Sequence, residues 1–174
     1  MTINKPTMTK PKKSNNPKNK KPKIAVGIAD EQELRPIDQA IADRMMDAVR
    51  VIAADFGYEE GEISVAVMDD AAIRQLNQEY LDHDWATDVI TFPLEEDDLV
   101  LEGEIVVSRE TADREAANHP WSGDDELLLY VIHGMLHLVG FDDTEDEARA
   151  EMKAAERDYL MRFKVPGAEK HQDS

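Results

Sequence analysis

Residues 131–140 read Val-Ile-His-Gly-Met-Leu-His-Leu-Val-Gly, an apolar run broken only by His133, Gly134 and His137 before it stops at Gly140. Such a run predicts a helix set centrally in the fold, and the rest of the chain has to be built around its two imidazoles. Four residues separate them, roughly 6 Å of helical rise, so both leave the same helix face. Gly140 predicts the end of the helix and a reversal of the chain. Asp142 and Asp143 come just after it. Two imidazoles and a carboxylate, converging from a helix and the following loop, suit a zinc site with an open position.

The chain has 174 residues and no cysteine. Disulfides and thiolate zinc sites are excluded, so His, Asp and Glu must hold any metal. This composition fits a reducing, cytoplasmic setting. With 41% hydrophobic and 33% charged residues it reads as a soluble globular protein with a real core. Its apolar runs fall far short of the ~20 residues of a membrane span.

Charge is divided unevenly. Residues 1–23 hold eight of the 20 basic residues and none of the 38 acidic ones. They also carry Pro6, Pro11, Pro17 and Pro22 and almost no apolar side chains. A basic arm of this kind is expected to be disordered. It lacks the apolar stretch of a secretory signal. It reads either as an electrostatic tether to RNA or ribosome or as a solubilising tail. The body that follows is then more acidic than the whole chain, whose net charge is −18.

Periodicity sketches the body. Strands are expected over Lys23–Ala29, Ile63–Met68, Asp88–Phe92 (stopping at Pro93) and Leu99–Ser108, the last two able to form a hairpin around a turn at residues 95–98. Ile37, Ile41, Met45, Val49, Ile52 and Phe56 mark a helix over Pro36–Phe56. Asp69 and Asp70 cap a second helix ending near Tyr80. Arg109–His119 looks helical. Ser122 with Asp125 resembles a capping box for the histidine helix, over about 123–139, and Thr144 with Glu147 resembles another for a helix reaching about Phe163. Residues 24–164 show neither repeat nor linker, and 165–174 read as a short polar tail. The expected fold is a single α/β (α+β) domain: a short, mixed four-stranded sheet packed with about five to six helices, its metal site on a central helix and the loop after it.

Histidines at this spacing also serve as packing or capping residues. Three features favour ligands instead. Gly134 leaves room beside His133 for a metal, a substrate or another backbone. The Gly140 turn comes where a third ligand is needed, and Asp142 and Asp143 supply carboxylates there. One can ligate while the other orients an imidazole or accepts a proton. The protease motif His-Glu-x-x-His places a general base where this chain has Gly134, which disfavours peptide hydrolysis.

The stretch His133-Gly134-Met135-Leu136-His137-Leu138-Val139-Gly140-Phe141-Asp142-Asp143 resembles the signature His-Gly-x-Leu-His-Leu-x-Gly-Tyr-Asp-His of the YbeY family of bacterial rRNA-maturation endoribonucleases. Three further blocks resemble that family in order. They are Leu76-Asn77-Gln78-Glu79-Tyr80, Thr87-Asp88-Val89-Ile90-Thr91-Phe92-Pro93 and Gly103-Glu104-Ile105-Val106-Val107-Ser108. Glu126-Leu127 fits as well. The resemblance implies a zinc-dependent, single-strand-specific endoribonuclease acting in maturation of the 3′ end of small-subunit rRNA and in ribosome quality control. It implies His133 and His137 as ligands of one zinc ion per chain. It also implies the small ribosomal subunit and assembly factors, including an assembly GTPase, as partners.

Two positions depart from the family pattern. Asp143 stands where a third His is usual; zinc accepts a carboxylate there, and His119, His83 or a water is the substitute if the loop does not reach. Leu81 stands where an Arg usually follows the Tyr and could hold a phosphate; His83 and Arg109 are the nearby replacements. Trp85, Trp121 and Tyr80 are expected to be packed, although a tryptophan can also stack on bases. Asp142 is the candidate orienting group or proton acceptor. The rival readings are a two-His-one-carboxylate iron enzyme and a non-catalytic ribosome-assembly module with a structural, closed metal site.

Overall fold

The computed structural model describes residues 21–96 and 99–173. Apart from residues 21–23, the basic arm expected over 1–23 lies outside the described residues. Four strands, β1 (Lys23–Asp30), β2 (Glu60–Met68), β3 (Val89–Glu96) and β4 (Val100–Ser108), form one mixed sheet in the order β1-β2-β4-β3. β1 and β4 both run parallel to β2, and β3 pairs antiparallel with β4 as the hairpin expectation has it. Five helices among the described residues accompany it: α1 (Gln39–Asp55), α2 (Asp70–Leu81), α3 (Arg109–Ala116), α4 (Gly123–Leu138) and α5 (Asp146–Arg162). A 3-10 turn, Ala168–Asp173, follows α5.

The period of two in each strand sorts the core. Ile63, Val65 and Val67 of β2 and Ile105 and Val107 of β4 face the main cluster, shared with α1 and α4. Ala66, Ile90 and Val106 face the other way and pack with Ile73 of α2. Because α4 is apolar on nearly all sides, it lies in the interior rather than on the surface. It packs against α1, α3, α5, β3 and β4. Gly134 is what lets it approach the sheet: a Cβ there would come 2.7 Å from Ile105 Cγ2. The space beside His133 is therefore taken by β4, not by a metal or substrate.

Caps fix where the helices begin. Asp38 accepts from the Ile41 amide, Asp69 from the Ala72 amide, and the Ser122–Asp125 capping box closes at both ends. The expected Thr144–Glu147 box does not form. Thr144 donates its hydroxyl and its amide to Asp142 instead, and α5 starts at Asp146 without a side-chain cap. Nor does β3 stop at Pro93: it continues to Glu96 through a register shift between Pro93 and Glu95. An outer strand can absorb the lost proline N–H. Beyond α5 the chain is packed rather than trailing as the expected polar tail, since Val165, Ala168 and His171 are all buried.

Candidate metal centre

α4 carries His133 and His137 one turn apart, and the loop behind it must return for a carboxylate to meet them. It does so through a Schellman motif. The Phe141 amide bonds to Leu136 O and the Gly140 amide to His137 O, with Gly140 at φ 106. Asp142 then holds the loop: its Oδ1 accepts from the amides of Asp143 and Thr144, its Oδ2 from the Thr144 hydroxyl. Asp143 is thereby placed opposite the two rings.

The three groups come together. His133 Nε2 and His137 Nε2 lie 2.9 Å apart, and each lies 3.6 Å from Asp143 Oδ2. Among the described residues this is the one group of three ligand-type side chains within 4.8 Å of one another. Three donor atoms this close together could hold one divalent cation in common.

Hydrogen bonding settles which ring atoms are free to ligate. His133 Nδ1 donates to Glu156 Oε1 at 2.6 Å. His137 Nδ1 donates to the Phe141 carbonyl at 3.1 Å. A carbonyl and a carboxylate only accept, so both Nδ1 atoms carry the proton and both Nε2 lone pairs face inward. Beside them stands a carboxylate oxygen. One proton can bridge the two rings; a divalent cation satisfies both of them and Asp143 together. The donor set thus fits a metal.

The surroundings shift the titration of these groups. Burial alone would raise the Glu156 carboxyl, but donors from His133 and His171 outweigh it and hold it at about 2. Burial works against a charged His133, yet the bond to Glu156 and its charge hold that ring above the usual range. His137 goes the other way, lowered by burial and then by the neighbouring His133.

His133 opens on a cleft of about 420 Å³ whose lining includes Asp88, Thr111, His119, Glu126 and Tyr130. Burial pushes the Glu126 carboxyl up despite a donor from Trp121 Nε1. His119, stacked on Trp121 at 4.3 Å, and His83, stacked on Trp85 at 4.4 Å, both lie outside the group that His133, His137 and Asp143 form. Trp121 is packed, as expected. Trp85 and Tyr80 are not: Tyr80 is 60% exposed and leans edge-on against Phe92.

Arg109 cannot replace the cation missing at Leu81. Its side chain is 0% exposed and is clamped by Asp113 and Asp124, each at 2.7 Å. Arg114 is 58% exposed and donates to the hydroxyl of Thr111, which lines the cleft. Sequence reading also misses Glu156. Its signal was a lone acid in step with Met152 and Leu160 on the buried face of α5.

A family model described as "Endoribonuclease YbeY" matches residues 27–164. An endoribonuclease YbeY of Rhodopirellula baltica is 46% identical over 114 residues, covering 64% of this chain and 59% of that protein. One from Chlorobaculum parvum is 36% identical over 137 residues, covering 79% of this chain and 93% of that one. Among solved structures, the solution structure of a Thermotoga maritima protein superposes with a TM-score of 0.58 at 26% identity, over 84% of this chain and 95% of that chain. No helix among the described residues is long and apolar enough to cross a membrane.

Proposed function

The chain belongs to the YbeY family of endoribonucleases, and from that premise we propose that it is a zinc-dependent enzyme that cuts single-stranded RNA in rRNA maturation and ribosome quality control. The observation that carries this reading is the convergence of His133 Nε2, His137 Nε2 and Asp143 Oδ2 beside an open cleft. Only three ligand-type side chains meet there among the described residues, and Asp143 is 39% exposed. That openness argues against a closed structural site. A bound zinc ion would supply Lewis acidity toward a phosphate of the RNA backbone.

The chain's own residues do the rest. His133, His137 and Asp143 hold the ion. Glu156 and the Phe141 carbonyl fix the two ring tautomers. Asp142, whose carboxylate is engaged by the loop it organises, acts as an orienting group. The lining acids Asp88, Glu115, Glu126 and Glu156 repel phosphate, so RNA enters the cleft only where cationic charge offsets them. Arg114 provides part of that charge at the rim. The eight lysines of residues 1–23 provide more and tether the RNA. The small ribosomal subunit and its assembly factors are the partners, and the cytoplasm is the setting.

Metal analysis of the purified protein together with cleavage of a single-stranded oligoribonucleotide tests this. His137→Ala is expected to lose both the zinc and the activity. Undiminished cleavage by the His133→Ala/His137→Ala protein rejects the reading. Iron in place of zinc, with oxygen uptake and no cleavage, selects the iron-enzyme alternative.

A further inference from the structure

Glu156 is a buried carboxylate with both oxygens engaged. Oε1 accepts from His133 Nδ1 and Oε2 from His171 Nε2, each at 2.6 Å. Glu156 and His171 are both more than nine-tenths buried. His133 reaches this pair from α4, and His171 reaches it from the 3-10 turn at residues 168–173, thirty-eight positions further along the chain.

That turn is anchored independently of the pair. Val165 and Ala168 sit in the core. Gly167, at φ 73, lies so close over Pro120 that a Cβ would come 2.2 Å from Pro120 Cγ. The His171 ring lies 5.8 Å from the ring of Trp121. The turn therefore delivers the imidazole to a fixed place.

We infer that His171 is a positioning residue of the metal centre: by fixing Glu156 it fixes the tilt of the His133 ring. This rests on the metal-dependent reading above. A carboxylate held by one donor can pivot about its last bond, and the ring it orients pivots with it. Two donors on opposite oxygens remove that freedom. The carboxylate also draws the Nδ1 proton and makes Nε2 a better ligand. The 3-10 turn after α5 is thus a working part of the centre.

The test uses the full chain. Zinc affinity is measured by competition with a chromophoric chelator, and the absorption bands of the cobalt-substituted protein are recorded. His171→Leu is expected to weaken zinc binding about tenfold, as loss of an outer hydrogen-bond partner does, and to shift the cobalt bands. His171→Gln keeps an N–H donor and is expected to restore most of the affinity. Glu156→Gln, nearly isosteric, should weaken binding at least as much as His171→Leu, and adding His171→Leu to it should cost little more, because coupled residues are non-additive.

Wild-type affinity and unshifted bands in His171→Leu or in Glu156→Gln overturn the inference, as do fully additive losses in the double variant. His137→Ala separates the two levels. If it binds zinc like the wild type, the metal centre itself is misassigned. If it loses zinc while His171→Leu keeps it, only the positioning role fails.

Discussion

At Leu81 the chain places a half-exposed hydrocarbon side chain where the family resemblance leads one to expect an arginine. Arg114, whose partner Thr111 lines the cleft, is the cation proposed above to meet RNA at the rim, at the opposite end of α2 from Leu81. It gives one N–H to Asp70 and one to Thr111, and a guanidinium has further donors for a phosphate oxygen. Arg114→Ala is expected to raise KM for RNA about tenfold, the worth of one charge-assisted hydrogen bond, with kcat little changed. Steady-state kinetics on a short oligoribonucleotide checks this; an unchanged KM removes Arg114 from the substrate path. At this scale the sequence was legible where chemistry is local. His133, His137 and Asp143 are readable because one helix turn and one glycine reversal bring them together. Arg109 was misleading because its burial is set across the fold: Asp113 follows it by one turn of α3, but Asp124 comes from α4. Glu156 and His171 were hidden for the same reason: each finds its partner across the fold.

The elements follow their periodicity closely, and they depart from it where tertiary contact competes with local pattern. The Ser122–Asp125 cap forms with each side chain taking the other's backbone N–H, whereas Thr144 is drawn off by Asp142. The space beside Gly134 belongs to helix–sheet packing. Alanine there would gain about 1 kcal/mol of helix propensity. Its Cβ, however, would lie 2.7 Å from Ile105 Cγ2, on a fully buried, β-branched side chain that has no room to swing away. Overpacking of this kind costs about 1–3 kcal/mol, so the clash prevails. Gly134→Ala is expected to lower Tm by a few degrees and, because α4 carries both rings, to weaken zinc binding. A thermal melt with an unchanged or raised Tm would show that β4 yields.

Across the whole molecule, acidic groups outnumber basic ones and the fold uses buried pairs to hold some of them. Asp125 is one. Burial alone would raise its carboxyl, but hydrogen bonds from Arg44 and Ser122 outweigh that and hold it below the ordinary range. A depressed folded value stabilises the protein above the ordinary Asp range, about pH 4, and this contribution is lost as pH falls through the lowered value. Asp125→Asn should therefore flatten the acid side of a stability-against-pH curve while lowering stability near neutrality; an acid limb as steep as the wild type's would assign the effect to other carboxylates. The overall architecture was legible because β-α alternation and four strand-like runs admit few arrangements. The exact end of β3 was not, because Pro93 stops an inner strand but not an outer one. That outer strand bears on how these molecules behave when crowded. A sheet margin interrupted by a proline and a slipped register is a poor template for a neighbour's backbone. Pro93→Thr would mend the margin, and dye-binding fibrils should then appear sooner in concentrated solution than they do for the native chain.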